Sequence, residues 1–534
     1  MKKEKITQLK IEESNGETFL VDDKNYKKNI KQHEKDIKRQ QKELLRLEKK
    51  KSKIENKIKK DKEKQDKKEL ARQKRINYFN KLDTLKRLTK ERKAQEKLDA
   101  IEYDKRLNAI YKKKQIAPWL RLDNAGQIYP PAKKRNWNFV YRITAITKDK
   151  VEPVILQKAL EDIIPRFPSF NVCLKNGLFW NYFERAPRKL FVVKDTEFPC
   201  SAFDLSDSNA NLIRIIYDDY KICFECFHAL SDGRGSLMFL NSLLARYFTI
   251  LGVEFGNLDL VKSYKDMPTA EELEDSFLKY YNKDKTQRPK ERPAYKIKGD
   301  TLDDGVVNSI IGEISVKQLK EAAKKLNCSL SVLLSACIGY VVYKNKANNK
   351  KPVRISVPID CRTRFPSKTL RNFSSYINVE VNGEDLTLED CINIFKSEFE
   401  KIDNNYIQSN INANVKLQKN PFIKIVPLFL KSIIMKNAFN HMGENYQTLA
   451  FSNLGIVNVP EEFKDLIERY EVNLGRSGYN TKSVGVISYM DKLTITFSSN
   501  IEENDTEREY FSLLSNLGID VKIYSNRRDI YGTI

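Results

Sequence analysis

Three histidines occur in the chain, and one of them, His228, closes an alternating apolar run, Lys221-Ile-Cys-Phe-Glu-Cys-Phe227. It opens the sequence His228-Ala-Leu-Ser-Asp232-Gly233. Alternation of this kind reads as a β-strand. A histidine at a strand's C-terminal end projects into whatever space the strand ends line. Its ordinary pKa of about 6.5 leaves it largely neutral at pH 7, able to take a proton from an attacking hydroxyl or amine. Asp232 stands beyond a turn, and Gly233 permits close backbone approach or a positive φ. The apolar stretch Gly235–Leu251 reads as a helix that holds the turn from behind. Taken alone, a strand-end histidine before a turn is more often inert than reactive. His33 falls in a heptad-patterned segment and His441 in a loop-like one.

The elements that must position this loop divide the 534 residues into three parts: 1–115, 116–285 and 286–534. In 116–285, strands are expected at 138–147, 178–183, 190–193, 211–217 and 221–227, with a helix at 152–167 whose apolar residues form one stripe. A charged stretch at 281–303 carries Pro289 and Pro293 and reads as a linker or crossover. The last part repeats the grammar. Strands are expected at 306–314, 353–358, 374–381, 448–453, 483–489, 493–498 and 520–524. Helices are expected at 316–326, capped by Ser315, at 331–343, capped near Ser329, and at 388–402 and 505–516. Two α+β halves with mixed sheets result.

Residues 1–115 differ in kind. They hold 39 Lys and Arg against 21 Asp and Glu, while the remainder is nearly balanced within a net charge of +24. No Gly or Pro interrupts Glu17 to Ala117, and Ile30, Ile37, Leu44 and Ile58 follow a heptad spacing. A long helical or coiled-coil extension is expected, with residues 26–112 available for self-association or a protein partner. Acidic residues interleave throughout and no aromatic platform accompanies the lysines, which argues against nucleic acid.

Composition excludes further classes. Met1–Leu20 has no apolar core for a secretory signal. Eight cysteines are too dilute for a disulfide scaffold. Cys223 and Cys226 should point to opposite faces of their strand, a poor geometry for a shared metal, so no metal site is expected. A cytoplasmic location is expected. The apolar stretch Pro421–Phe439 is broken by Lys424, Pro427 and Lys431. It reads as a covering helix or as an interfacial segment that admits a lipophilic acceptor, with peripheral membrane contact.

HxxxDG after a strand and before an apolar helix resembles the motif shared by chloramphenicol acetyltransferase, condensation domains, plant BAHD acyltransferases and alcohol acetyltransferases. Four other stretches agree in order. They are Leu156–Leu160 with Ile164–Pro168, Leu319–Leu326 with Cys328–Ala336, Val357–Arg364 through Arg371-Asn372-Phe373, and Phe451-Ser452-Asn453-Leu454-Gly455. The resemblance covers roughly 118–530, and the alcohol acetyltransferase-like subtype is the nearest. Phe227 stands where condensation domains usually carry a first histidine, and the plant family's closing DFGWG block is absent.

The resemblance implies two chloramphenicol-acetyltransferase-like lobes with a tunnel between them. It implies His228 as general base and Asp232 as a structural partner of an arginine, Arg362 before Arg364, with Gly233 completing the motif. Ser452 and Asn453 are the expected oxyanion donors, and Asn372 is grouped with them as a substrate-binding residue. Acetyl-coenzyme A or another acyl-coenzyme A is the implied co-substrate, with no tightly bound cofactor, and an alcohol is the implied acceptor. An acyl donor presented on a carrier protein is the variant of this reading. The competing reading is a catalytically idle acyltransferase fold whose basic coil tethers it to a partner, RNA or an anionic surface.

Overall fold

The computed structural model describes residues 119–526, apart from 133–137, 197, 285–290, 347–348, 443 and 479, and a few isolated positions nearer the N-terminus. Apart from those isolated positions, the basic extension over 1–115 and the coiled coil expected there lie outside the described residues.

Apolar alternation pairs β6 (Ile213–Asp218) with β7 (Lys221–Phe227) as an antiparallel hairpin. On the other side of β7 lies β2 (Val140–Thr147), also antiparallel. A short parallel β5 (Val192–Lys194) closes one edge. The opposite edge comes from far along the chain: β12 (Ile467–Leu474) pairs with β2 in antiparallel register. This five-stranded sheet therefore draws on residues from both sides of the 281–303 crossover. Helices Pro153–Ile163 and Gly233–Ile250 pack on it, and Phe167, Phe170, Phe224 and Phe239 interlock between the layers.

The second sheet has seven strands. In spatial order they are β10 (Ser374–Val381), β9 (Val353–Asp360), β11 (Leu449–Ile456), β13 (Lys482–Tyr489), β14 (Lys492–Ser499), β8 (Asn308–Ser315) and β15 (Val521–Ser525). Two of its pairings, β9 with β11 and β11 with β13, are parallel and the others antiparallel, so the sheet is mixed. A separate apolar core lies under helices Val316–Lys325, Leu330–Asn345, Leu388–Glu400 and Asp505–Asn516. Ser315 and Ser329 cap the first two of these, accepting from Gln318 N and Val332 N respectively. Two large cores and two mixed sheets give the α+β, two-lobed architecture, with a smaller apolar cluster around Phe277, Phe373 and Ile411. The sheets meet where β12 runs against β13 and β14. A Cβ on Gly485 would lie 2.5 Å from the Val472 carbonyl oxygen, so only glycine permits that approach.

A third, three-stranded sheet orders β1 (Trp119–Arg121), β4 (Asn181–Arg185) and β3 (Val172–Asn176), all antiparallel. Cys223 faces Thr144 and Arg142 on β2, whereas Cys226 sits beside Tyr141 on the other face. Among the described residues no single helix is long and apolar enough to cross a membrane.

Candidate active site

β7 ends at Phe227, and the backbone N–H of His228 still donates to the Phe139 carbonyl at 2.8 Å. The ring is thereby placed at the sheet's end, half-buried. Tyr129 stacks on it at 4.8 Å between ring centroids, and Tyr141 meets it edge-on at 5.0 Å. The Tyr141 hydroxyl is itself held by Ser236 and the Ser231 carbonyl.

The ring's proton is located by its neighbour Asn372. The Asn372 Nδ2 donates to Asp123 Oδ2 at 3.2 Å and to the Ala229 carbonyl at 3.4 Å. A carbonyl oxygen only accepts, so the amide nitrogen lies on that side. Asn372 Oδ1 then faces His228 Nδ1 at 3.2 Å. Oδ1 accepts, so Nδ1 carries the proton and the lone pair is on Nε2. Burial of the ring pushes its pKa below the ordinary histidine value, against the upward pull of its own backbone, Asp232, Asn372 and Asp123.

Behind it, Asp123 is wholly buried. It accepts from Gly126 N at 2.6 Å and Asn372 N at 3.2 Å, and the Arg371 guanidinium stands 3.6 Å away. Desolvation raises its pKa despite these donors.

Asp232 turns away from the ring. As N-cap of helix Gly233–Ile250 it accepts from Gly235 N at 3.1 Å. Its other oxygen accepts from Phe373 N and from Arg362 Nη1, both at 2.8 Å. Arg362 also donates to Asp360 and to the Thr369 and Arg371 carbonyls. One buried ion pair thus ties the loop after β7 to the segment between β9 and β10. The two carboxylates raise the Arg362 pKa well above its ordinary value, outweighing desolvation. Arg364 points elsewhere, donating to the Ile402 carbonyl.

Both glycines of this loop are pressed. A Cβ on Gly233 would meet the Leu454 side chain at 2.3 Å, and one on Gly235 would lie 2.0 Å from the Leu370 carbonyl oxygen. The first contact is with the end of a side chain and can yield. The second is with backbone and cannot. Gly235→Ala is expected to cost about 1–3 kcal/mol of stability, read as a lower melting temperature, while Gly233→Ala costs less.

The structure brings His228, Asp232, Gly233, Arg362 and Asn372 into one cluster. It treats the late strand end differently. Asn453 spends its amide on a local turn, accepting from Gly455 N and donating to Ser331 Oγ. Ser452 is half-buried on β11, and it is Leu454, two residues on, whose side chain reaches Gly233. Sequence reasoning missed Asp123, Tyr129 and Tyr141. Asp123 begins Asp-Asn-Ala-Gly, which reads as an ordinary turn.

No protein-family model matches the chain, and no curated protein matches it. Among solved structures it is similar to polyketide synthase associated protein 5 from Mycobacterium tuberculosis, at 12% identity over 74% of this chain and 97% of that one, with a TM-score of 0.49. It is similar to the first condensation domain of the calcium-dependent antibiotic synthetase, at 10% identity over 75% of this chain and 95% of that one, with a TM-score of 0.48. It is also similar to trichothecene 15-O-acetyltransferase from Fusarium sporotrichioides, at 12% identity over 75% and 94% of the two chains, with a TM-score of 0.47. These likenesses concern the course of the backbone.

Proposed function

We propose that this chain is an acyl-coenzyme A-dependent acyltransferase of the HxxxDG type, transferring an acetyl group to an alcohol with His228 as general base. The observation that carries the reading is the placement of one ring: His228 at the end of β7, its Nδ1 3.2 Å from Asn372 Oδ1, with no hydrogen-bond partner for Nε2 among the described residues. The family resemblance implies that the thioester and the acceptor meet at this ring from opposite sides, between the lobes. Nε2 takes the hydroxyl proton as the alcohol oxygen attacks the thioester carbonyl. The tetrahedral intermediate then expels the coenzyme A thiolate, which recovers that proton from the imidazolium. No acyl-enzyme forms, so no nucleophilic Ser or Cys is needed.

Asp232 and Arg362 act by holding the loop, and Asn372 by fixing the tautomer; the protein already uses the whole Asn372 amide. Ser452, half-buried on β11 two residues before the Leu454 side chain that reaches Gly233, supplies the oxyanion donor. Lobes 116–285 and 286–534 are the two substrate walls, with β12 lent by the second to the first.

The test is a panel of alcohols with acetyl-coenzyme A and the full-length protein, following free thiol and ester together. Thiol and ester should appear in equal amounts. If no alcohol supports thiol release while coenzyme A still raises the melting temperature, the chain binds the donor without transferring it, and the catalytic reading fails. Asn372→Ala is expected to lower kcat at least about ten-fold by freeing the tautomer, with KM for the donor little changed. A rise in KM alone would make Asn372 a substrate contact instead.

A further inference from the structure

The stretch Pro421–Met442 folds as two helices, Pro421–Ile425 and Leu428–Met442, broken at Pro427. Its inner side is anchored. Leu428 N donates to the Leu178 carbonyl, and Lys431 Nζ donates to the Phe179 carbonyl, both at 2.8 Å, with the ammonium 3.2 Å above the Trp180 ring. Its outer side is not covered. Phe422 is 78% exposed, Ile425 70% and Phe429 67%, and Ile433 and Ile434 are exposed beside them. Phe429 with Ile433 and Leu430 with Ile434 are spaced by four residues, so they form two adjoining rows on one helical face. The tip of the β3–β4 hairpin adds Leu178, 73% exposed, directly against this corner. Contiguous exposed apolar surface of this kind marks a contact site.

Charge identifies the contact. From Asn404 to Met442 there is no Asp or Glu, and Lys416, Lys424 and Lys436 are exposed. Lys424 lies between Phe422 and Ile425, and Lys436 is one turn beyond Ile433. The chain enters the body through β1, on the sheet whose hairpin tip joins the patch, and the residues before it carry the excess of positive charge. A second copy docked face to face would set these lysines against their own counterparts. The basic extension folded back on the patch would do the same. An anionic lipid surface satisfies the apolar rows and the lysines at once.

We infer that the Pro421–Met442 corner, with the β3–β4 hairpin tip, seats the protein on an anionic phospholipid surface, inserting Phe422, Ile425, Phe429 and Ile433 while Lys424 and Lys436 meet the headgroups. The helix Leu428–Met442 also packs on Tyr129–Ala132, and Tyr129 is the residue stacked on His228. The inference does not depend on acyl transfer, because its readout is lipid binding.

The experiment is flotation of the full-length protein with vesicles of phosphatidylcholine alone and of phosphatidylcholine mixed with phosphatidylglycerol. The mixed vesicles should be bound more tightly, and binding should survive salt that screens the basic extension. Phe429→Glu with Ile433→Glu should reduce partitioning about ten-fold or more at that salt, with the melting temperature unchanged because both side chains are exposed. Lys424→Glu with Lys436→Glu should weaken binding to the mixed vesicles and leave the residual binding to phosphatidylcholine in place. Unaltered binding by the Phe429→Glu, Ile433→Glu protein would overturn the inference and leave any affinity to the extension. A protein that ignores both vesicles, but whose sedimenting dimer that double variant splits, would also overturn it, in favour of a second copy as occupant.

Discussion

His228→Ala should slow thiol release from acetyl-coenzyme A in the presence of an alcohol by about 10²–10⁴-fold, the span general base catalysis commonly supplies. The ring is half-buried and touches Tyr129 and Tyr141, so some packing is lost too. That loss acts on stability, and thermal melting separates it from the rate. In the wild-type protein the rate should rise with pH as the imidazolium loses its proton. Because burial depresses the pKa, the midpoint falls below the ordinary value of about 6.5, and the rate is flat from neutrality upward. The alanine variant should lose that acid limb. A variant as fast as wild type would remove His228 from the reaction.

Asp232→Ala should cost roughly 2–4 kcal/mol of stability, because it leaves the buried Arg362 guanidinium with Asp360 as its one remaining carboxylate partner among the described residues. It also removes the N-cap of helix Gly233–Ile250 and the acceptor of Phe373 N. Denaturant unfolding of the full chain measures this directly. Activity should fall with it, since Asn372, next to Phe373, holds the ring. Arg362→Ala should be comparably damaging. The double variant should cost clearly less than the two single costs together, the mark of a direct pair. Additive costs would mean that the two side chains act separately. Removing Arg364, which among the described residues bonds the Ile402 carbonyl alone, should matter little by comparison.

Most of the sheet framework was legible because local pattern and tertiary demand coincide. Lys221–Phe227, Ser374–Val381 and Asp505–Asn516 fall where alternation and helical spacing put them. The place of β12 in the first sheet was not legible. Its Arg469 and Glu471 are charged yet buried, because each finds its partner inside: Arg469 pairs with Glu471 and with Glu313. Tyr470, Val472 and Leu474 do alternate with Arg469, Glu471 and Asn473, but local pattern does not give the pairing with β2, far earlier in the chain. Trp119–Arg121 is too short for any periodicity, and its pairing with β4 is a long-range matter.

The site divides in the same way. His228 to Gly235 is a contiguous loop with its own local logic of strand end, cap and glycine, so its residues could be read together. Asn372 was found within the Arg-Asn-Phe block but grouped with substrate contacts. Its burial and its bonds to His228, Ala229 and Asp123 become visible only once β10 brings it across. Asp123 lies 105 positions before His228 in a turn of ordinary composition, and no spacing rule connects them. Ser452 and Asn453 were chosen by place in a block, and the hydrogen bonds of Asn453 belong to the turn and to Ser331.

With only three histidines in the chain, nitrogen NMR of the imidazoles, with the His228 signals assigned by their loss in His228→Ala, reads the state of this one ring. At pH 7 it should be neutral, protonated on Nδ1 and bare on Nε2, and it should titrate below the ordinary histidine midpoint. A ring that is protonated on Nε2, or positively charged at neutrality, has no lone pair on Nε2 to offer an incoming hydroxyl, and base catalysis through that atom would be refuted.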